Sequence, residues 1–154
     1  MTDRISAVLV HENSETMVAL QKALERQGVR IVRAESCAHA KRLLGGLSLV
    51  PLVFTDAQLS DGSWVDVLEA AAQAAEPVNV IVVARIVDTR FYVEAIETGA
   101  FDFLVPPFNA TDLAYVLRSA VENVAARRAS CGAPALQRNL YAATHDPTTQ
   151  PVAR

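Results

Sequence analysis

The sequence predicts a single α/β domain in which a five-stranded parallel sheet is covered by helices on both faces. Three observations predict this doubly wound class. Short apolar runs alternate five times with amphipathic stretches, and the connections between them are short, which is typical of parallel strands joined by crossover helices. The third and fourth runs are almost continuously apolar, as strands buried on both faces require. The length of 154 residues suits one such domain and is too short for two.

The first half of the chain predicts two strand–helix pairs. The apolar run Ile5–Val10 is the first strand. Ser14–Gln27 is the first helix, because its apolar residues recur on one face and Gly28 follows it. Val29–Arg33 is the second strand, and Cys37–Leu44 is a helix that two glycines close.

The second half predicts three further strands, each followed by a helix. The last helix has the clearest pattern, with apolar residues at i, i+3, i+4, i+7, i+8 and i+11 along one face. The predicted elements are the strand Leu52–Thr55, the helix Ser63–Ala74, the strand Val78–Val83, the helix Thr89–Glu97, the strand Phe101–Val105 and the helix Ala110–Arg127.

The composition of the chain changes after about residue 128. Ser130–Arg154 contains three of the seven prolines and only scattered large apolar residues. Such a segment cannot bury enough apolar surface to form a second domain. We therefore predict one domain over residues 4–128 and a tail or linker over residues 129–154.

The net charge and the absence of certain motifs exclude several classes of function. A net charge of −3 with no basic stripe argues against nucleic-acid binding through this domain. The chain has no apolar run near the ~20 residues of a membrane span and no signal-peptide layout. Its two cysteines do not form a disulfide framework, so we expect a cytoplasmic protein without membrane contact. Because it has no Gly-rich phosphate loop and no nucleophile elbow, we expect no enzyme activity.

Sites in doubly wound folds form outside the carboxyl ends of the strands. Asp56 follows the third strand directly, so its carboxylate is expected in that crevice, close to backbone N–H groups. A turn or helix cap is the alternative role for an aspartate there. The residues at the predicted carboxyl ends are His11–Asn13, Asp56–Gln58, Ala84–Arg85 and Pro106–Pro107.

Several separated segments together resemble one family. Val8–Val10 precedes Glu12 and Asn13, Asp56–Gly62 is similar to Asp-x-x-Leu-Pro-Asp-Gly, and Gly99–Phe108 is similar to Gly-Ala-x-Asp-Tyr-Leu-x-Lys-Pro-Phe. These segments resemble the CheY-like response-regulator receiver over about residues 4–127. The resemblance implies the strand order 2-1-3-4-5, counting the five predicted strands along the chain. It also implies a phospho-acceptor role for Asp56, a histidine kinase as phosphoryl donor, and Mg²⁺.

The metal site that the resemblance implies is reduced here. The family's acidic pair falls on Glu12 and Asn13, and Asn13 lacks the charge that Mg²⁺ prefers. A weak site of Glu12, Asn13, Asp56 and the carbonyl of Gln58 is the expectation. Asn13 can also cap the first helix, and both roles are compatible. His11 has no obvious second His or Cys partner, which favours a polar residue at a strand end over a metal ligand.

The family's other phosphoryl-contacting groups are missing. Its hydroxyl position falls on Ala84 and its lysine position on Pro106, and neither residue can donate a hydrogen bond or a charge from its side chain. Its switch aromatic falls on Phe103, which has no hydroxyl. The resemblance predicts a cis bond before Pro107. Trp64 stands beside the Asp56 loop, where the family usually has a glycine.

Arg85 follows Ala84, at a position where the family usually has a small residue. Its guanidinium could pair with Asp56 or Glu12, or bind a phosphoryl group directly. A solvated arginine at a strand end is the equal alternative.

The resemblance and these departures together indicate an atypical receiver of a two-component-type phosphorelay, such as those of transcription regulators. We expect it to regulate a partner or effector by protein–protein interaction with little or no phosphorylation. The alternative is a working receiver phosphorylated on Asp56 by a histidine kinase. The expected partners are a histidine kinase or another signalling protein, and a second copy bound through the fourth helix, fifth strand and fifth helix. Phe91 and Tyr92 are adjacent on that helix, so one of them either joins an exposed patch or is partly buried.

Overall fold

The computed structural model describes residues 5–46 and 50–131. The strands are β1 Ser6–Val10, β2 Arg30–Ala34, β3 Leu52–Asp56, β4 Gln58–Leu59, β5 Gly62–Ser63, β6 Asn79–Val83 and β7 Asp102–Leu104. The helices are α1 Glu15–Arg26, α2 Cys37–Gly46, α3 Trp64–Ala72, α4 Thr89–Thr98 and α5 Ala110–Cys131.

Five parallel strands form the main sheet, in the order β2-β1-β3-β6-β7. This is the predicted order 2-1-3-4-5 once the two extra short strands are counted, so the predicted fold class is confirmed. The extra strands, β4 and β5, pair antiparallel in a small hairpin directly after β3. Each has two residues, which is too short for an alternating hydrophobic pattern to reveal.

The core lies on both faces of the sheet, because successive side chains of a strand point to opposite faces, and a third, smaller cluster contains Trp64, Val82, Ala95 and Ala100. Leu9 and Phe54 pack with α1 and α5, whereas Val8 and Val53 pack with α2 and α3. The predicted apolar face of the last helix is buried, with the members Leu113, Val116, Leu117, Ala120 and Val124.

The ends of α1 and α4 agree with the glycines in the sequence, whereas those of α2 and α5 differ from the predictions. Gly28 and Gly99 follow α1 and α4 with φ values of 84° and 127°, which confirms them as helix ends. The two glycines expected to close α2 are instead part of it, because α2 runs to Gly46. α5 continues to Cys131, beyond the domain boundary predicted at residue 128. The rest of the predicted tail, residues 132–154, lies outside the described residues.

The carboxyl-terminal half of α5 is hydrogen bonded to the sheet. Asn79 of β6 is buried, and its Nδ2 donates to the carbonyl of Ala120 (3.0 Å) and to Oδ1 of Asn123 (2.9 Å). Arg127 donates to Oδ1 of Asn79. Arg128 donates to the carbonyls of Pro77 (3.0 Å) and Val50 (3.1 Å). These bonds fix the direction of α5 where it leaves the sheet. None of the described helices is both long and apolar enough to cross a membrane.

Candidate functional site at the carboxyl ends of the strands

Asp56 is the last residue of β3, where it pairs with Val83 of β6. Val10 of β1 pairs with Thr55. The next residues, His11 and Asp56, therefore lie side by side at the carboxyl end of the sheet. The half-buried Asp56 accepts a hydrogen bond at Oδ1 from the N–H of Ala57 (2.9 Å). It therefore also organises its own loop, as expected of an aspartate in a cap.

Glu12 joins the loop after β1 to the loop after β3. Its Oε2 accepts a hydrogen bond from the backbone N–H of Ser60 (2.9 Å). The guanidinium of Arg33, on β2, donates to the carbonyl of Glu12 and, at 3.5 Å, to that of His11. Arg33 was predicted only as a strand residue, and its role in holding this loop depends on the pairing of β1 with β2.

Asn13 is not the residue that caps α1. Its side chain is exposed, and the cap of α1 is Ser14, whose Oγ accepts from the N–H of Met17 (3.2 Å). The expectation that Asn13 caps the first helix was therefore wrong. The strand hydrogen bonding continues to His11, which donates its N–H to the carbonyl of Ala34 (3.0 Å).

His11 is fully buried, unlike an ordinary polar residue at a strand end. Its Nδ1 accepts a hydrogen bond from the N–H of Ser14 (3.3 Å). Its Nε2 is the buried side-chain polar atom that lacks a hydrogen-bond partner within residues 5–46 and 50–131. Burial, followed by the charge of Arg33, lowers the pKa of His11, although Asp56 and Glu35 act in the opposite direction. The imidazole is thus neutral near neutral pH.

Neither Ala84 nor Pro106 brings a donor group to the site. Ala84 is half-buried, and its N–H is used by the sheet, donating to the carbonyl of Leu104 (2.9 Å). Pro106 is half-buried, and the bond between it and Pro107 is cis, which confirms that prediction.

Arg85 is exposed and forms no ion pair with Asp56 or Glu12 in this structure. Among the described residues, the carboxylate within 4 Å of a basic side chain is that of Glu76, at 3.5 Å from Arg128. Of the two interpretations of Arg85, the structure thus shows the solvated arginine. Its predicted role as a phosphoryl partner stays a prediction.

Four aromatic rings connect the Asp56 loop with α4 and β7. Trp64 is the first residue of α3, is buried, and donates its backbone N–H to the carbonyl of Ala57 (3.2 Å). Its ring lies 5.5 Å from that of Phe91, which in turn lies 5.0 Å from Phe103. Tyr92 meets Phe103 edge-on at 5.8 Å. We call these four residues the aromatic cluster. The sequence placed Trp64 beside the Asp56 loop, but its partners on α4 depend on the packing of the helices.

Residues 7–118 match the response regulator receiver domain family. The chain belongs to this family. The receiver is 26% identical to the photosynthetic apparatus regulatory protein RegA of Cereibacter sphaeroides, over 77% of this chain and 64% of RegA. It is 29% identical to the acid tolerance regulatory protein ActR of Rhizobium meliloti, over 70% of this chain and 55% of ActR. The chain therefore spans just under two thirds of RegA and about half of ActR.

Solved structures show the same fold. The signal receiver domain of an HD domain-containing protein from Pseudomonas fluorescens Pf-5 aligns with a TM-score of 0.71 and 24% identity, covering 83% of this chain and 94% of that one. Full-length FixJ from B. japonicum aligns with a TM-score of 0.68 and 21% identity, covering 80% of this chain and 60% of FixJ. These structures share the fold, and the family match makes this chain a receiver domain of two-component response regulators.

Mg²⁺ is the metal that the receiver family implies, and the residues of this site do not fit it. Mg²⁺ needs oxygen ligands in near-octahedral geometry. Asp56 and Glu12 each use one carboxylate oxygen for a backbone N–H, Asn13 is exposed, and His11 lies beside Asp56. Within the described ranges, no three His, Cys, Asp or Glu side chains converge so that they could hold a metal ion.

Proposed function

We propose that this chain is an atypical receiver that regulates a partner or an effector by protein–protein interaction, with weak or no phosphorylation of Asp56. The observation that carries the proposal is the composition of the Asp56 site. The acceptor is retained at the end of β3, but Ala84 and Pro106 provide neither the hydroxyl nor the ammonium that the family uses.

Phosphoryl transfer depends on positioning and on neutralising the charge of the phosphoryl oxygens. Loss of one well-placed donor typically lowers a rate by ~10²-fold or more. The hydroxyl and the ammonium are both absent here, and Arg85 is exposed and forms no ion pair with Asp56 or Glu12. The alternative, a working phospho-acceptor served by a histidine kinase, would require Arg85 to turn toward Asp56 and replace both groups.

The surface around α4 supports an interaction role. Six of the seven exposed large hydrophobic side chains among the described residues lie on α4, on the loop before it or on α5, namely Ile86, Val87, Tyr92, Val93, Ile96 and Tyr115. We call these six residues the α4 surface. Ile86 and Val87 are 73% and 76% exposed, and exposed apolar groups of this kind mark protein contacts.

A cavity adjoins the α4 surface. It has a volume of about 310 Å³ and is lined by Val87, Asp88, Thr89, Tyr92, Phe103 and Val105. An interface between two copies of a chain related by a two-fold axis uses the same patch on both. We propose that this surface binds a histidine kinase or another signalling protein, or forms a homodimer through α4, β7 and α5.

The names of the relatives indicate which process this receiver regulates. RegA and ActR are named as regulatory proteins, and AlgB of Pseudomonas putida, 32% identical over 69% of this chain and 23% of its own length, is named as a transcriptional regulatory protein. We propose that this receiver acts in the cytoplasm on a transcription regulator, either a partner or an effector joined to α5, and that it carries out no catalysis beyond its own modification.

One experiment separates the two readings of Asp56. The protein is incubated with acetyl phosphate or beryllofluoride in the presence of Mg²⁺, and Asp56 is followed by intact mass or by NMR. We expect little or no modification at millimolar donor, and an Asp56→Ala variant that still functions in cells. Stoichiometric modification, together with loss of function in Asp56→Ala, would establish the phospho-acceptor instead.

A further inference from the structure

The outward face of α4 is apolar along its length. Tyr92, Val93 and Ile96 recur at the spacing of one helix face and are 45%, 43% and 36% exposed. Val87, in the loop before α4, extends this apolar strip toward the carboxyl ends of the strands. An apolar strip of this kind needs a partner to cover it.

The end of α5 brings the chain to one end of this strip. α4 and α5 follow the parallel strands β6 and β7, so both helices run from the carboxyl ends of the strands toward the amino ends. At the amino end, Arg127 of α5 donates to the carbonyl of Val78 (3.4 Å). Thr98 of α4 and Arg127 line one cavity of about 130 Å³. The chain therefore leaves Cys131, one helical turn beyond Arg127, beside the Ile96 end of α4.

The sequence after Cys131 contains apolar residues within reach of the strip. Leu136, Leu140 and Tyr141 are separated by four residues and then one, a spacing that suits the anchoring of a segment in an apolar groove. Five to ten residues of extended chain cover roughly 16–33 Å, whereas the ten residues of α4 span only about 15 Å. These three residues can therefore reach either end of the strip.

The charges favour this segment over a second copy of the receiver. α4 and its cap carry three exposed carboxylates, those of Asp88, Glu94 and Glu97, against one basic residue, Arg90. A second copy related by a two-fold axis would place the same net negative charge opposite. Arg138 is the one charged residue of the sequence 132–145 when His145 is neutral, so this segment brings a positive charge instead.

We propose that residues 132–145 fold back along α4 and cover the α4 surface, with Leu136, Leu140 and Tyr141 as the anchors. The segment runs from the Ile96 end of the strip toward the cavity that Val87 and Tyr92 line. The inference deepens the proposed function, on which it rests, because a partner that binds the α4 surface must first displace this segment. The receiver thus carries its own competitor for the docking surface.

The test uses the ¹⁵N-labelled full chain at concentrations at which sedimentation shows a monomer. Leu140→Ser combined with Tyr141→Ser removes two anchors, so we expect the amide signals of Val93 and Ile96 to shift. Val152→Ser is the matched control, since it also removes an apolar side chain after Cys131 but lies outside the segment. It should leave both α4 signals in place.

The reciprocal experiment changes α4 and observes the segment. Ile96→Ser should shift the amide signals of Leu140 and Tyr141. Val18→Ser, at a similarly exposed side chain on α1, should leave them unchanged. Both positions are on the surface, so the variants are expected to fold.

The proposal requires a shift in both directions, and a missing response in either one overturns it. Shifts of the α4 signals that grow with protein concentration would also overturn it, because they assign the surface to a second copy. None of these readouts involves Asp56, a kinase or a phosphoryl donor. The inference can therefore fail while the proposed function stands.

Discussion

The rings of Trp64 and Phe91 lie 5.5 Å apart and are inclined at 50°, across the boundary between α3 and α4. The backbone N–H of Trp64 donates to the carbonyl of Ala57 in the Asp56 loop. Through Phe103 the ring contact reaches Tyr92 on the α4 surface. The aromatic cluster is therefore a packed connection between the site and the proposed docking surface.

Phe91→Ala should destabilise the protein by about 2 kcal/mol, because it leaves a cavity and removes two aromatic contacts. Chemical denaturation measures the loss. Trp64 is the single tryptophan of the chain, so its emission should also shift in the folded variant. Tyr115→Ala, at a side chain that is 65% exposed, is the matched control and should cost less than about 0.5 kcal/mol. Equal losses in the two variants would contradict the role of the cluster.

Asp61 caps α2 from a different loop. Its carboxylate accepts the N–H groups of Cys37 (2.8 Å) and Ala38 (3.1 Å), and these bonds lower the pKa of Asp61. A lowered folded-state pKa gives a stabilisation that is present above the unfolded value of about 3.9 and lost as the pH falls through the folded value.

Asp61→Ala should therefore lower the melting temperature at neutral pH. The difference from the natural protein should shrink once the pH falls below about 4. Thermal unfolding at the two pH values measures this. A difference that does not depend on pH would show that the charge of Asp61 contributes nothing.

Asn79→Ala should cost about 1–3 kcal/mol, because it removes a buried hydrogen-bonding side chain. Arg127 then keeps only the carbonyl of Val78 of its two acceptors. Asn123→Ala is the matched control, since it removes one acceptor at the exposed end of the same network. Denaturation experiments should show a smaller loss for Asn123→Ala. The reverse order would mean that the buried bond to Ala120 contributes little.

The combined change Ala84→Thr and Pro106→Lys should increase modification of Asp56 by acetyl phosphate by ~10²-fold or more, because both missing donors are restored. Intact mass against time gives the rate. The same pair of changes in an Asp56→Asn background is the control and should show no added mass at this position. An unchanged rate would mean that another feature, such as the absent cation, limits the chemistry.

Val87→Glu should weaken self-association or partner binding at the α4 surface, because it puts a charge into an apolar contact. Sedimentation velocity over a range of concentrations measures the self-association. Val18→Glu is the matched control, since Val18 is 42% exposed on α1, away from the α4 surface. A dimer that survives Val87→Glu but not Val18→Glu would place the interface on α1 instead.

Much of the fold follows from local sequence. The alternation of apolar strands and amphipathic helices is a property of neighbouring residues, so the five strands, the five helices and their class were predicted. The same holds for what the site lacks, since Ala84 and Pro106 can be identified by counting along the segments that resemble the family. The position of Asp56 at the end of a buried strand was predicted from the apolar run that precedes it.

The cap of α1 shows where local reasoning ends. Asn13 and Ser14 are both good capping residues, and the sequence alone does not choose between them. In the structure Ser14 is the cap, and the strand hydrogen bonding continues as far as His11, whose N–H donates to the carbonyl of Ala34 on β2. That bond joins residues far apart in sequence.

The sequence by itself determined the order of the five main strands and the five helices, the acceptor position and the missing donors. The tertiary structure alone decided the burial of His11, the exposure of Arg85, the capping of α2 by Asp61 and the contact of Trp64 with Phe91. The physical reason is that each of these depends on which strands and helices lie side by side. Sheet register brings His11 beside Asp56, and no pattern within one segment carries that information.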